Sequence, residues 1–175
     1  MPRRVFVSGI GVVSPLGVGR DAFFSGLREA RIGIRRVDDL LDLEGIRCKV
    51  GAPVLGFDPR DFISPKRAKR LGRATQFALA AAKLALEDAR LDPGANSAGG
   101  VVMGTGIGPV EAMIDNLHAL EHRGPERVSP FFVPIMMPNA TAAEVGIEFG
   151  LKGPNTGVVT AEQIAADKYL ASKQA

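Results

Sequence analysis

Short apolar runs that are typical of buried strands alternate along this chain with segments of helical character. The strand-like runs are residues 4–13, 100–104 and 155–161. The first is almost continuously apolar, which is typical of a strand buried on both faces of a sheet. The strongest helical segment spans 73–90, and its many alanines predict a helix packed closely between other layers. Further helices are predicted at 22–29, 109–122 and 139–149, so the pattern indicates an α/β layered fold.

A shorter alternation of apolar and basic residues is found at 46–50. It predicts a half-exposed strand that places Ile46, Cys48 and Val50 on one face. On that face Cys48 is expected to act as a small buried core residue. Because Cys48 is the only cysteine, the sequence excludes an internal disulfide framework and a zinc site built on several cysteines.

The segment 129–138 is apolar but contains three prolines. Proline cannot donate a backbone hydrogen bond, so this segment cannot form a regular central strand. We expect an irregular apolar loop. Such a loop has to be covered, either by lining a ligand channel or by contacting a partner subunit.

The composition narrows the class of protein. With 175 residues, of which 46% are hydrophobic and 23% charged, the chain can form one domain and is neither disordered nor collagen-like. A net charge of +3 is far below that of a nucleic-acid-binding domain, so no nucleic-acid partner is expected.

The apolar run after Arg4 is too short for a signal peptide, and no run approaches a membrane span. We therefore expect a cytoplasmic protein with no membrane partner and no cofactor.

A glycine-containing stretch at 9–14 follows strand-like residues, and a second at 104–108 has a strand-like run before it and a predicted helix after it. Neither has the full spacing of a dinucleotide-binding loop, and no helix begins directly after the first. Two interpretations stay open, a loop that binds nucleotide phosphates and a close approach between backbone segments.

His118 and His122 lie four residues apart in the pattern H-x-x-E-H, which places both rings on one helix face. They are the only histidines, and Gly124-Pro125 ends the helix directly after them. The pair would need a carboxylate from elsewhere to hold a metal ion. The alternative, which we favour, is a solvated helix end whose basic side chains face the negative pole of the helix. No metal site is assigned.

Ser64-Pro65 is a helix-start signal, with serine before the helix and proline at its first position. In the turn that follows, Lys66, Lys69 and Arg70 are spaced i, i+3 and i+4 and so share one face. This basic face is either simply solvated or a docking surface for an acidic partner.

Five stretches of the chain, taken in order, resemble the β-ketoacyl-acyl-carrier-protein synthases, most nearly the elongating enzymes of type II systems. They are 3–17 (RRVFVSGIGVVSPLG), 76–82 (QFALAAA), 104–108 (GTGIG), 129–134 (SPFFVP) and 150–155 (GLKGPN). The resemblance runs from about residue 3 to residue 161. It implies a thiolase-like layered αβα fold, a mixed sheet covered by helices, of which this chain would form the N-terminal half.

The resembled family condenses acyl and malonyl thioesters with loss of carbon dioxide, in fatty-acid or polyketide synthesis. A cysteine at a strand-to-helix elbow takes the acyl group from acyl-carrier protein, and two histidines of the second half assist. Members are usually homodimers. The resemblance therefore implies acyl-carrier protein as a partner and a homo- or hetero-oligomer as the assembly.

The same resemblance assigns roles to residues of this sequence. Lys66, Lys69 and Arg70 match the helix that docks the carrier protein, which favours the docking interpretation. Ile107 matches a gating position of the acyl channel. The pair Phe131 and Phe132 matches the apolar loop that lines this channel near the dimer interface.

The sequence departs from the family after Thr160-Ala161, where the family continues with the nucleophilic cysteine and this chain has Glu162. We divide the chain into an incomplete ketosynthase N-terminal domain, 1–161, and a helical tail unlike the family, 162–175. No catalytic residue is assigned, because neither Glu162 nor Cys48 can replace the missing cysteine.

The expected function is that of a truncated ketosynthase, inactive as this chain alone. The alternative is a non-catalytic module for carrier-protein binding or heterodimerisation. An isolated half of such a fold would expose its apolar loop and central sheet, so we expect a poorly soluble or oligomerising chain.

Overall fold

A computed structural model describes residues 4–40, 44–96 and 98–159 of the chain. The strands are β1 (Val13–Ser14), β2 (Gly17–Val18), β3 (Arg35–Arg36), β4 (Val50–Gly51), β5 (Val101–Gly104) and β6 (Asn155–Val158). The helices are α1 (Arg20–Arg28), α2 (Pro65–Ala68), α3 (Arg73–Ala89), α4 (Val110–Arg123), α5 (Phe132–Met136) and α6 (Ala140–Glu148). Single 3₁₀ turns lie at Pro59–Asp61, Pro93–Asn96 and Pro125–Arg127.

The centre of the fold is the parallel pair β5 and β6, in the register Val101 to Asn155 through Gly104 to Val158. Parallel strands need a long crossover connection, and here it contains α4, α5 and α6. Helix α6 contacts both strands and α3. This arrangement of helices over parallel strands confirms the predicted α/β fold.

The hydrophobic core lies where α3 and α6 meet the parallel strands. Its buried members are Ile63, Ala68, Leu79, Val101, Ala142 and Val145. Small side chains let α3 and α6 approach closely, and the hydroxyls of Thr75 and Thr141 form a 3.0 Å hydrogen bond between the two helices. The core therefore holds α2, α3, α6 and β5 as one unit.

The prediction of a buried strand at residues 4–13 is wrong for most of that segment. Only Val13 belongs to a strand, and the side chains of Val5, Phe6 and Val7 are 85%, 72% and 82% exposed. The segment runs along α3 instead. A Cβ atom at Gly11 would lie 1.9 Å from the Ala81 carbonyl oxygen. In the described chain the segment has no neighbouring strand to pair with, and a strand forms only where its backbone groups find such a partner.

The close approach at Gly9 and Gly11 bears on the first glycine-rich stretch. An added Cβ atom at Gly9 would lie 2.2 Å from the carbonyl oxygen of Ala85. Both glycines are thus used to bring two backbone segments together, as the packing interpretation predicted.

The half-exposed strand predicted at 46–50 is also wrong. Only Val50 of that stretch is in a strand, in the short antiparallel pair β3–β4. The side chains of Ile46 and Val50 are about half exposed, and Cys48 is exposed rather than buried. A strand acquires a buried face only where a second layer covers it, and this two-residue ladder is too short to gain one.

The segment 129–138 avoids a strand as predicted, but it is not wholly irregular, because 132–136 forms the one-turn helix α5. Pro134 is tolerated there because it occupies the first turn, where a backbone N–H has no partner within the helix. No helix in the described ranges is both long and apolar enough to cross a bilayer.

Candidate functional site

Helix α2 presents the predicted basic face. It begins at Pro65, after Ser64, as the helix-start signal predicted. Its inner side buries Ala68 in the core beside Ile63, and its outer side leaves Lys66, Lys69 and Arg70 exposed to solvent. The short helix is therefore anchored in the core on one side, and on the other side it presents the exposed basic face formed by Lys66, Lys69 and Arg70.

The fourth basic residue of this turn has a different role. The Nη2 of Arg67 donates to the Glu144 carboxylate on α6 at 2.6 Å, and Nη1 pairs with Glu148. Gln76 of α3 also donates from Nε2 to the Ala68 carbonyl oxygen at 2.9 Å. Arg67 and Gln76 thus tether α2 to α6 and α3. Of the residues that the structure describes, none forms an ion pair with Lys66, Lys69 or Arg70.

A cavity of about 220 Å³ opens beside α2. It is lined by Arg67, Arg70, Leu71, Gly72, Thr75, Phe131, Pro134, Ile135, Ala140 and Glu144. Its floor is largely apolar, and its charged groups are Arg67 of α2, Arg70 just after α2 and Glu144 of α6. The guanidinium carbon of Arg70 lies 5.1 Å from the centre of the Phe131 ring, a cation–π distance. The cavity therefore joins one predicted docking residue to one predicted channel residue.

Two anchors fix the walls of this cavity. The Glu111 carboxylate, in the first turn of α4, accepts the Arg73 backbone N–H at 2.6 Å and so caps the start of α3. The side-chain oxygen of Asn116 accepts the Ser129 N–H at 2.8 Å, and the Ser129 hydroxyl in turn accepts the Phe131 N–H at 3.2 Å. These links hold α4, the start of α3 and the Phe131 loop together.

Sequence reasoning did not single out Arg67 as a tether, and it missed Glu111 and Asn116 altogether. The acidic residue in the first turn of α4 was a weak local signal, since carboxylates are favoured at helix starts. The partners that Arg67 and Asn116 find are 77 and 13 residues away in the sequence. No local pattern could have revealed them.

The remaining predicted channel residues lie apart from the cavity lining. Ile107 is in the loop between β5 and α4 and is 73% exposed. Phe132 is half-buried in α5 and does not contribute to the lining. In the part of the chain that the structure describes, Phe131 therefore lies beside the basic face, whereas Ile107 does not line the cavity. The assignment of these residues to an acyl channel stays a prediction.

The two histidines face each other on α4, with ring centres 5.8 Å apart, and His122 Nδ1 lies 3.1 Å from the His118 carbonyl oxygen. Within 4–40, 44–96 and 98–159, no group of three or more histidine, cysteine or carboxylate side chains could hold a metal ion. Glu162 and the predicted tail, 162–175, lie outside the described residues.

Sequence comparison identifies the class to which this fold and site belong. The family model described as "Beta-ketoacyl synthase, N-terminal domain" matches residues 2–163. The 3-oxoacyl-[acyl-carrier-protein] synthase 2 of Synechocystis sp. is 37% identical over 161 residues, which cover 91% of this chain and 38% of that relative. The synthase of the same name from Staphylococcus aureus (strain COL) is also 37% identical over 161 residues, covering 91% and 39%.

These matches show that the chain belongs to the β-ketoacyl synthase family, as the resemblance implied. The chain spans less than half the length of these curated relatives.

Solved structures agree on the fold. The ishigamide ketosynthase/chain length factor aligns with a TM-score of 0.77 at 25% identity, covering 95% of this chain and 44% of that one. A beta-ketoacyl synthase from Burkholderia phymatum aligns with a TM-score of 0.68 at 27% identity, covering 93% and 41%.

A third alignment supports the fold alone. AntDE:AntF, a type II polyketide synthase acyl-carrier protein in complex with its ketosynthase, aligns with a TM-score of 0.66 at 18% identity. The alignment covers 83% of this chain and 38% of that one. The chain has the thiolase-like fold of these ketosynthases.

Proposed function

We propose that this chain supplies the carrier-docking half of a ketosynthase-type protein of fatty-acid or polyketide synthesis, and that Lys66, Lys69 and Arg70 bind acyl-carrier protein. One observation carries the proposal. Lys66, Lys69 and Arg70 are exposed and form no ion pair with any residue that the structure describes, and they lie on or directly after α2, which Arg67 ties to α6. Cations of this kind suit the recognition of an acidic partner, because no ion pair among the described residues has to be broken before they bind it.

The comparisons support this partner. The AntDE:AntF structure contains an acyl-carrier protein in complex with its ketosynthase. The name of the curated relatives, 3-oxoacyl-[acyl-carrier-protein] synthase 2, itself contains the acyl-carrier protein. We extend that partner to the present chain because the basic face stands on an element that belongs to the shared fold.

Docking is tested by titrating the 175-residue protein with an acyl-carrier protein at two salt concentrations. We expect binding that weakens as salt rises, because the attraction is between exposed charges. The double variant Lys66→Glu with Arg70→Glu should bind at least about tenfold more weakly. The control is Arg28→Glu with Lys152→Glu, which changes the net charge equally on α1 and in the turn after α6. Equal binding by the two double variants, or no salt-sensitive binding by the wild type, would reject the proposal.

Condensation activity is a separate matter. We propose that this chain alone does not join acyl and malonyl groups. The family's cysteine position holds Glu162, and Cys48 is exposed near the β3–β4 pair, outside the cavity lining. Incubation of the purified protein with acyl- and malonyl-carrier protein should yield no new carbon–carbon bond. Turnover that follows the protein through purification would contradict this.

A second candidate function is heterodimerisation with a catalytic partner. It is favoured by exposed apolar side chains on α4 and α5, among them Met113, Leu117 and Val133. The ketosynthase/chain length factor structure, by its name, combines two such components. Co-expression with a full-length ketosynthase, followed by size-exclusion chromatography, should give a mixed complex if this candidate is correct.

A further inference from the structure

The exposed side of α4 carries both histidines of the chain, His118 and His122. They lie one helical turn apart, and their ring centres are separated by 5.8 Å. We propose that the two rings together bind a divalent transition-metal ion of the copper, nickel and zinc group. Such a site is separate from the basic face and the cavity beside α2, and it goes beyond the proposed docking of a carrier protein.

One hydrogen bond determines which nitrogen of His122 is free. Its Nδ1 lies 3.1 Å from the His118 carbonyl oxygen, which can only accept, so Nδ1 carries the proton and donates. In the neutral ring the lone pair is then on Nε2. Metal-binding histidines typically have this arrangement, with one ring nitrogen bonded to a carbonyl or carboxylate and the other on the metal. The sequence spacing alone assigned no metal site, and this bond is the observation that the structure adds.

The separation of the two rings suits a single ion. Two imidazoles on one tetrahedral ion, with metal–nitrogen bonds of about 2.0–2.1 Å, have ring centres about 5 Å apart. The observed separation of 5.8 Å differs from this by an amount that rotation about the side-chain bonds covers. Positions i and i+4 share a helix face, which is how zinc-binding helices present paired histidines.

Helix α4 holds both residues in place from its inner side. Ala112 and Ala119 are buried there, and the Asn116 side-chain oxygen accepts the Ser129 backbone N–H at 2.8 Å. The backbone that carries the two rings is therefore fixed before an ion arrives. Binding then has to order only two side chains.

The number and type of ligands select the ion. Within the part of the chain that the structure describes, no third histidine, cysteine or carboxylate joins the pair, so water would complete the coordination. Such a chelate holds an exchangeable ion, in contrast to a structural site with four protein ligands. Imidazole favours copper, nickel and zinc, and copper binds most tightly, whereas magnesium and calcium prefer oxygen ligands. We expect Cu²⁺ to bind more tightly than Zn²⁺, and Mg²⁺ not to bind.

The test is a calorimetric titration of the full 175-residue chain with CuCl₂. Every protein carries Cys48→Ser, because an exposed thiol would itself bind copper. His118→Gln and His122→Gln should each weaken binding about tenfold or more, because each replaces a chelate by a single imidazole. The electron paramagnetic resonance spectrum of the bound Cu²⁺ should show coupling to two nitrogen nuclei.

A register variant is the matched control. His122→Gln with Arg123→His keeps two histidines but places them five positions apart, so they no longer share a helix face. It should bind Cu²⁺ as weakly as His122→Gln, although its lost positive charge would by itself favour a cation. His122→Gln with Glu121→His, three positions apart on one face, should retain tight binding.

All substituted positions on α4 are exposed, so the variants keep the core intact. Equal binding of Cu²⁺ by the parent protein and either single variant would overturn the site. Equal binding by the parent and the register variant, or a spectrum with one coupled nitrogen, would also overturn it. None of these results bears on carrier-protein docking, which the salt-dependent titration tests separately.

Discussion

Arg67 shows how neighbouring residues of one type serve different purposes. Of the basic residues in this turn, Arg67 is the one whose half-buried guanidinium contacts two carboxylates of α6, while Lys66 is exposed to solvent. Removing one partner of a half-buried ion pair leaves the other charge without compensation. Charge at this position therefore contributes to the attachment of the helix.

We predict that Arg67→Met lowers the free energy of unfolding by about 1–2 kcal/mol, because Glu144 and Glu148 lose their shared cation. Lys66→Met, one residue away and exposed, should change it by less than about 0.5 kcal/mol. Urea unfolding followed by circular dichroism measures both. Equal effects of the two substitutions would show that Arg67 does not tether α2.

A second residue-scale prediction concerns Gly11. An added Cβ atom would lie 1.9 Å from the Ala81 carbonyl oxygen of α3, where the obstacle is helix backbone that cannot move aside. Gly11→Ala should therefore destabilise the chain by about 3 kcal/mol or more, or displace the N-terminal segment from α3. Gly106→Ala is the control, because nothing lies within 4 Å of its added Cβ atom. The thermal melts of the two variants decide between these outcomes.

At the scale of elements, one carboxylate connects three parts of the fold. Asp88, near the end of α3, accepts the Ile10 backbone N–H at 3.0 Å and pairs with Arg20 of α1. The hydrogen bond from Ile10, together with Arg20, holds the pKa of Asp88 below its ordinary value of 3.8. The N-terminal segment, α1 and α3 therefore share an electrostatic link.

This link predicts a pH dependence. Because the pKa of Asp88 is lowered by folding, its contribution to stability is fully present above about pH 4 and is lost as the pH falls through the folded-state pKa. The difference in melting temperature between the wild type and Asp88→Asn should be larger at pH 6 than at pH 3. Gly106→Ala, which removes no titratable group, should show no such change. A constant difference for Asp88→Asn at both pH values would contradict the assignment.

The helices and the strands differ in how well their sequences predicted them. Helices α1, α3, α4 and α6 lie within one to two residues of the predicted spans, because capping and periodicity are local signals. The strands predicted at 4–13 and 46–50 mostly failed, because a strand depends on partners distant in sequence. The run at 100–104 succeeded because β6 pairs with it.

At the scale of the whole molecule, the described surface carries many apolar side chains. On α4, Met113, Leu117 and Leu120 recur at helical spacing and are each more than two-fifths exposed, and Ile114 lies beside them. A stripe of this kind is typical of a surface that another element or chain covers. We propose this stripe as the surface through which the predicted oligomerisation would occur.

We predict that the purified chain self-associates, with a molar mass by light scattering above the 18.5 kDa of one chain. Leu117→Gln should weaken the association about tenfold by placing a polar amide in the stripe. His118→Gln, at the neighbouring exposed position outside the stripe, should leave it unchanged. A wild-type monomer with a sharp cooperative melt would show that the exposed apolar stripe needs no partner.

The sequence by itself determined the family, the α/β class, the main helices and the basic face at Lys66, Lys69 and Arg70, because these depend on local spacing and on motifs read in order. Only the tertiary structure decided that Arg67 belongs to the support and not to the face, that Arg70 meets Phe131, and that a small apolar cavity lies between them. Those relations join residues separated by tens of positions, and they exist only after α3 and α6 have packed together around the parallel strands.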